Sequence, residues 1–161
     1  VEDGFPIFFI QKRTGWDGRS FNIFKLRSLS KSASSKFKQV IGNDKRVLKI
    51  GKIIRRLSID ELPQFYNVLR GDMSIVGPRP HPEDLTKHST KEIRNFMQRH
   101  KCLPGITGWA QVHGLRGPTA ESGLMNKRVQ HDLYYIKNWN LMLDLYILIK
   151  TVFVVLFQKV D

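Results

Sequence analysis

The sequence predicts one domain of the α+β class, mainly helical and carrying a small β-hairpin. Two extended apolar runs separated by turn-forming residues predict the hairpin, and apolar residues at helical spacing follow in several later segments. With 161 residues, the chain is long enough for one domain with a hydrophobic core and too short for two ordinary ones. We therefore expect residues 1–161 to form a single domain.

The hairpin is predicted at the amino-terminal end. Residues 5–10 and 21–27 form the two extended runs, and residues 15–18 (Gly-Trp-Asp-Gly) have turn chemistry. Side chains alternate along a strand with a period of two, so Lys25 and Arg27 are expected on the same face.

Helices are predicted over most of the rest of the chain. Residues 48–57 place Ile50, Ile53, Ile54 and Leu57 on one helical face. A second helix is expected from Ile59 or Asp60 to Leu69, ending at Gly71. The remaining expectations are a polar loop over residues 28–38, a polar helix over 83–100, an irregular segment over 103–118, and a helix from Gly123 on which Met125, Val129, Leu133 and Ile136 share a face.

The last predicted helix, residues 141–157, is almost entirely apolar but contains Asp144 and Lys150. Its seventeen residues fall short of the roughly 20 apolar residues that a transmembrane helix needs. Two interpretations remain open. The segment is either a buried core helix or a helix that lies in a bilayer interface with Lys150 reaching towards water.

The chain is strongly basic, with 27 Lys and Arg against 14 Asp and Glu and a net charge of +13. Such a surplus implies an anionic partner: nucleic acid, anionic lipid headgroups or a phosphorylated substrate. From Lys25 to Arg56, seven lysines and four arginines accompany only one acid, Asp44. This density favours a phosphate- or membrane-facing surface. The single cysteine, Cys102, excludes an internal disulfide and suits a reducing compartment.

Asp60 and Glu61 are the main candidates for chemistry. Ser58 and Glu61 have the spacing of a capping box, in which Glu61 only satisfies a backbone N–H. Pro63 disfavours that register, because it fits better in the first turn of a helix that begins at Asp60. In either register both carboxylates lie at a helix amino terminus, where the dipole favours ionisation. They would then suit nucleophilic attack and Mg²⁺ binding rather than general acid catalysis.

Two arginines accompany this pair in the sequence. Arg55 lies five residues before Asp60, and Arg79 lies in the Gly-Pro-Arg-Pro turn of residues 77–80. The flanking prolines restrict the backbone, so Arg79 is expected to be ready for bidentate phosphate binding. Each of them, taken singly, could equally be a surface arginine in a loop.

The motifs along the chain resemble those of the bacterial sugar transferases, the monotopic polyprenyl-phosphate phosphoglycosyl transferases. The resemblance rests on Ser-Ile-Asp-Glu-Leu-Pro-Gln (58–64) and Gly-Asp-Met-Ser-Ile-Val-Gly-Pro-Arg-Pro (71–80). Further matching segments occur in the same order at residues 6–13, 21–28, 104–112 and 132–145. Motifs of this length in this order are very specific.

The resemblance implies transfer of a sugar 1-phosphate from a UDP-sugar to undecaprenyl phosphate, through a phosphosugar-aspartyl intermediate and with release of UMP. It implies Asp60 as the nucleophile and Glu61 as its partner carboxylate and Mg²⁺ ligand. The substrate phosphates would be bound by Arg55, Arg79, Lys25 and Arg27. The product would be the first membrane intermediate of exopolysaccharide, capsule or O-antigen synthesis.

The resemblance also implies a monotopic protein on the cytoplasmic face of the bacterial inner membrane. The family carries an apolar re-entrant helix just before its Pro-x-Phe-Phe motif, and this chain is expected to begin after that helix. Residues 115–118 and 138–141 look most like the hexose-transferring branch, for which UDP-glucose or UDP-galactose is the expected donor.

Two other function classes compete with this one. A nucleic-acid-binding module would explain the charge, but it has no use for the clustered carboxylates and none of its familiar motifs occurs. A non-catalytic membrane scaffold would keep the basic face without needing Asp60. We therefore expect no nucleic acid partner. The sequence leaves the oligomeric state open, including a homo-oligomer.

Overall fold

The computed structural model describes residues 3–30, 40, 44–117 and 123–157. They form a small mixed domain of helices and short strands, which confirms the predicted α+β class. Most of the predicted polar loop lies outside the described residues, including Lys31, Lys36 and Lys38. The strands are β1 (Phe8–Thr14), β2 (Ser20–Leu26), β3 (Ser74–Val76), β4 (His81–Pro82) and β5 (Gly105–Thr107); the helices are α1 (Lys49–Arg56), α2 (Gln64–Leu69), α3 (Glu83–Glu92), α4 (Trp109–Val112), α5 (Leu124–Asn138) and α6 (Leu141–Phe157).

The predicted hairpin is confirmed, but its first strand covers residues 8–14 rather than 5–10. β1 and β2 pair antiparallel, from Phe8 opposite Leu26 to Thr14 opposite Ser20. The connection contains a short 3₁₀ turn in which Asp17 has a φ of 53°. β4 pairs with the other edge of β1, so the sheet order is β2-β1-β4.

A second, parallel pair joins β3 to β5, and it overturns the prediction that residues 103–118 are wholly irregular. The pairing depends on close backbone approach. A Cβ on Gly105 would lie only 2.1 Å from the nitrogen of Gly77, so a larger residue would force the two segments apart. Backbone hydrogen bonds of 2.9 Å, from Gly77 to Thr107 and from Gly105 to Pro78, fix the chain on either side of this contact.

The helix predicted over residues 83–100 is wrong in its length. α3 ends at Glu92, and Asn95 takes a left-handed φ of 65° before a 3₁₀ segment, Phe96–Lys101. The break lets Phe96, which is 1% exposed, pack with Met125 and Val129 of α5. Core packing therefore overrides the polar helical pattern of the sequence. Met125 and Val129, two residues of the predicted apolar face of α5, are both buried.

α1 is confirmed as a helix, and three of the four apolar residues on its predicted face are exposed. Ile50, Ile53 and Leu57 are 53%, 61% and 44% exposed. The helix packs instead through Gly51, where a Cβ would lie 2.2 Å from the carbonyl oxygen of Ser28. A row of large apolar side chains is thus left on the surface.

α6 is buried along one side only. Ile147 is fully buried and packs in a core cluster with Val76, Val112 and Tyr135. Other apolar side chains of the helix are exposed, so the interpretation of α6 as a wholly buried core helix is wrong. Within the described residues, no helix has the length and hydropathy needed to cross a bilayer. The exposed members are Leu141, Met142, Leu145, Tyr146, Ile149, Val152, Phe153, Leu156 and Phe157.

Candidate active site

Asp60 and Glu61 lie in a 3₁₀ turn, Ile59–Glu61, between α1 and α2. The expectation that an α-helix begins at Ile59 or Asp60 is wrong, because α2 begins only at Gln64. The chain enters the turn through Ser58, whose φ of 56° is left-handed, a conformation that non-glycine residues seldom adopt. The sharp entry directs the next two side chains into the protein, and each is only 6% exposed.

Glu61 is not a capping residue. Its Oε1 accepts hydrogen bonds from Lys25 Nζ at 2.7 Å and from Arg79 Nη2 at 2.6 Å. Its Oε2 lies 3.1 Å from Arg116 Nη2, and no side-chain capping hydrogen bond is present at the start of this turn. Three cations from distant parts of the chain therefore converge on one buried carboxylate, and the capping alternative is overturned.

The surroundings of the two carboxyl groups shift their pKa values in opposite directions. Burial pushes the pKa of Glu61 upward, but the charges of Arg79, Lys25 and Arg116 outweigh it and hold that pKa well below the ordinary value. Burial and then the negative charge of Glu61 raise the pKa of Asp60. The expected ionisation of Glu61 is supported, although its cause is the cations rather than a helix dipole. For Asp60 the predicted direction of the pKa shift is wrong.

Asp60 has no hydrogen bond or ion pair to any residue that the structure describes. Lys25, Arg55 and Arg116 lie close enough for their charges to oppose the rise in its pKa. A buried carboxylate that no neighbour engages, surrounded by positive charge, suits attack on an electrophilic phosphorus. Glu61, in contrast, already has its oxygens engaged.

Two other arginines donate hydrogen bonds to the backbone at Arg79 and Pro80. Arg99 Nη2 donates to the carbonyl oxygen of Arg79 at 2.8 Å, and Arg13 Nη1 donates to that of Pro80 at 3.1 Å. Arg99 is itself fixed by Asp132, with contacts of 2.6 and 2.9 Å. The sequence predicted a fixed Arg79 from the prolines alone, and the structure adds a buried ion pair behind it.

The four predicted phosphate ligands do not all meet. Lys25 and Arg79 contact Glu61, whereas Arg27 forms an ion pair with Asp3 at 2.6 Å and contacts backbone carbonyls of the same segment. The structure thus does not bring Arg27 to the site beside Lys25. The charge of Arg55 acts on Asp60 without a hydrogen bond between the two side chains, and the guanidinium of Arg55 instead donates to Ser28 Oγ at 3.5 Å.

Asn67 joins the hairpin to the helix that follows the site. It is fully buried; its Oδ1 accepts from the backbone N–H of Phe24 at 3.1 Å, and its Nδ2 donates to the carbonyl of Asn22 at 2.8 Å. The side chain thus takes the place of a neighbouring strand at the free edge of β2. Because Phe24 directly precedes Lys25 in β2, this contact helps to position Lys25 beside Glu61.

Sequence reasoning gave no role to Arg116, Arg99 or Asn67. Arg116 could have been noticed by the argument used for Arg79, since both are arginines in Gly- and Pro-rich segments. Arg99 lies in a polar segment with other basic residues, and nothing in that pattern marks it. Asn67 looks like any polar residue of a short helix.

The donor set decides which carboxylate could hold a divalent cation. No group of three or more His, Cys, Asp or Glu side chains suited to a metal occurs among the described residues. Glu61 does not fit as a ligand, because Lys25, Arg79 and Arg116 take up its oxygens. Asp60 does fit, since Mg²⁺ commonly binds one carboxylate together with substrate phosphates.

The Arg99–Asp132 ion pair, which fixes the arginine that binds the Arg79 carbonyl, can be tested by substitution. Both side chains are almost fully buried, and burial raises the pKa of Asp132 against the opposing charge of Arg99. Asp132→Asn leaves a buried guanidinium without its counter-charge, so we expect the free energy of unfolding to fall by about 3–5 kcal/mol. Urea denaturation measures this. Glu92→Gln, in the exposed His88–Glu92 pair, is the control and should cost at most about 1 kcal/mol. Equal losses in the two variants would contradict the assignment.

Comparison with known proteins identifies the family. The profile described as "Bacterial sugar transferase" matches residues 1–158. A UDP-glucose:undecaprenyl-phosphate glucose-1-phosphate transferase of Xanthomonas campestris pv. campestris is 50% identical over 156 residues, covering 96% of this chain and 32% of the relative. The protein of that name in Escherichia coli (strain K12) is 48% identical, covering 92% and 32%.

A third relative, from Aeromonas hydrophila, is a UDP-N-acetylgalactosamine-undecaprenyl-phosphate N-acetylgalactosaminephosphotransferase. It is 44% identical over 153 residues, covering 94% of this chain and 36% of the relative. The chain spans about a third of the length of these curated relatives. Since the family profile covers nearly every residue and the matched motifs include the buried pair described above, the chain belongs to the bacterial sugar transferase family.

Proposed function

We propose that this chain is the catalytic part of a phosphoglycosyl transferase that moves a hexose 1-phosphate from a UDP-sugar to undecaprenyl phosphate. The observation that carries the proposal is the buried Asp60 carboxylate, which no described residue engages, beside a Glu61 held by three cations. The named activities of the relatives support the substrate classes. Glucose is the first sugar to test.

In the proposed reaction an oxygen of Asp60 attacks the β-phosphorus of the UDP-sugar. The bond from this phosphorus to the bridging oxygen breaks, and UMP leaves with the electron pair. A phosphate oxygen of the lipid then attacks the same phosphorus, and the Asp60 carboxylate is released. Arg79, Lys25 and Arg116 supply positive charge where negative charge accumulates on the transferred phosphoryl group. Glu61 keeps these cations in place and takes no part in bond making.

Mg²⁺ is the proposed cofactor, with Asp60 and the substrate phosphates as its ligands. When bound, it would neutralise charge on the diphosphate. Glu61 is not proposed as a Mg²⁺ ligand, because its oxygens form ion pairs with Lys25, Arg79 and Arg116.

Release of UMP tests this function. Purified full-length protein in membrane mimetic is given UDP-glucose and Mg²⁺, with and without undecaprenyl phosphate. The proposal expects a stoichiometric burst of UMP without the lipid and continuous turnover with it. Absence of UMP release from UDP-glucose, UDP-galactose and UDP-N-acetylgalactosamine alike would overturn the proposal.

We further propose that the domain works as a monotopic protein at the cytoplasmic face of the inner membrane, making the first lipid-linked intermediate of exopolysaccharide, capsule or O-antigen synthesis. The support is the apolar side of α6, where Leu145, Ile149 and Phe153 are 43%, 62% and 58% exposed. A helix with one apolar side exposed suits a position in the bilayer interface. The net charge of +13 favours anionic headgroups.

Ile149→Glu is expected to weaken binding of the domain to vesicles that contain anionic lipid. Removing one apolar side chain from the interface costs about 1.5–3 kcal/mol, which corresponds to about tenfold or more in partitioning. Vesicle co-sedimentation measures this. Ile75→Glu, at a residue that is 41% exposed on β3, is the matched control. Equal loss in both variants, or in neither, would contradict a membrane-binding role for this side of α6.

A further inference from the structure

A cavity opens next to the candidate active site. Its volume is about 220 Å³, and its walls come from the segment around the 3₁₀ turn on one side and from β5, α4 and α6 on the other. Most of the wall is aliphatic or aromatic. Its apolar lining includes Leu57, Leu62, Phe65, Ile106, Val154 and Val155.

One end of the cavity belongs to the catalytic cluster. Glu61, Arg116 and Ser58 all line it. Arg116 Nη1 donates to Ser58 Oγ at 2.8 Å, and its Nη2 lies 3.1 Å from Glu61 Oε2. The cavity thus has a cationic end continuous with the site and an apolar body that leads away from it.

Most polar groups of the apolar body are already bonded to protein. The hydroxyls of Thr107 and Thr151 lie 2.6 Å apart and share a hydrogen bond. Gln111 donates through Nε2 to the carbonyl of Ile106 at 3.0 Å, which leaves its buried Oε1 without a partner. Among the described side chains that line this part of the cavity, Gln111 Oε1 is the acceptor left for a polar ligand such as a nucleobase. A hydrocarbon chain needs none.

We propose that this cavity receives the first part of the hydrocarbon chain of the lipid phosphate acceptor, with the phosphate at Arg116. The inference rests on the proposed function and adds a lipid subsite to it. An anionic head joined to an apolar tail complements a cavity with a cationic end and apolar walls. Leu57, Leu62 and Phe65 are 44%, 55% and 46% exposed, so the outer wall is accessible to a chain that arrives from the membrane surface.

The test fills the cavity. Val155→Trp adds bulk to a lining residue of α6, and Leu69→Trp makes the same kind of change at the end of α2, at a residue that is 87% exposed and does not line the cavity. Full-length proteins in membrane mimetic are assayed for UMP release without acceptor and for KM of undecaprenyl phosphate. For Val155→Trp we expect KM for the lipid to rise by about tenfold or more, with the UMP burst unchanged. Leu69→Trp should match the wild type in both.

A short-chain lipid phosphate separates the chain from its headgroup. A five-carbon dimethylallyl phosphate acceptor fills less of the cavity, so the difference between Val155→Trp and the wild type should shrink with it. Leu57→Trp, from the opposite wall, repeats the test if Val155→Trp folds poorly. An unchanged KM for the lipid in a folded variant, or a rise in KM for the UDP-sugar instead, would overturn the subsite. Absence of any UMP burst in the wild type would point to failure of the proposed function itself.

Discussion

Asp60→Asn is expected to lower sugar-phosphate transfer by at least about 10³-fold, because removal of a covalent nucleophile costs this much or more. An amide oxygen is a poor nucleophile and cannot form the acyl phosphate linkage proposed for the carboxylate. The UMP burst measured without lipid acceptor should disappear together with steady-state turnover. Loss of turnover with a retained burst would contradict the assignment, since it would separate Asp60 from the first step.

Asp84→Asn is the matched control, because Asp84 is exposed in the first turn of α3. Its activity should equal that of the wild type.

The same assay, repeated over a range of pH, tests the pKa shifts of the site. The reaction needs ionised Asp60, and its pKa is raised, so activity should fall as pH drops through that raised value. Burial lowers the pKa of Lys25 to about 8, so a second, alkaline loss is expected as Lys25 is neutralised near that pH.

Glu61→Gln is expected to lower the free energy of unfolding strongly. The neutral amide leaves Lys25, Arg79 and Arg116 crowded together without their counter-charge, and breaking a buried ion pair in this way costs about 3–5 kcal/mol. Urea denaturation at neutral pH measures the loss. Activity should fall as well, since the same cations would no longer be held beside Asp60.

The pH dependence gives the Glu61 prediction a second readout. Because the folded-state pKa of Glu61 is depressed from 4.5, its contribution to stability is complete above that ordinary value and is lost as pH falls through the depressed one. The difference in unfolding free energy between wild type and Glu61→Gln should therefore shrink in acid. Glu92→Gln, in an exposed pair, should show little difference at any pH. A Glu61→Gln variant within about 1 kcal/mol of the wild type at neutral pH would mean that the cluster does not stabilise the fold.

The elements with strong local patterns were predictable. Apolar runs separated by turn residues predicted β1 and β2, helical spacing predicted α1 and α5, and a long apolar segment predicted α6. Elements that depend on distant partners were not. β5 and α4 form where Gly77 and Gly105 let two backbones meet, and α3 stops early because Phe96 packs against α5. Burial of the helix faces was not predictable for the same reason. The spacing shows that a helix has an apolar face, but it does not show which element covers that face.

The candidate site divides in the same way. Asp60, Glu61, Lys25 and Arg79 were identified from motifs, and the structure gathers the last three in one cluster. Arg27 was assigned to the site from strand periodicity, yet its guanidinium is paired with Asp3. Arg116 was missed, because an arginine in an irregular segment shows its partner only when the chain is folded.

The sequence by itself determined the family of this protein, because ordered motifs along the chain are specific without any knowledge of their geometry. It also predicted that two adjacent carboxylates are central to the chemistry. Only the tertiary structure decided how these two differ. The charges that lower the pKa of Glu61 come from residues 25, 79 and 116, and electrostatic interactions depend on distance in space rather than along the chain. Asp60, one residue away, is buried without a bonded cation among the described residues, and this difference makes it the candidate nucleophile.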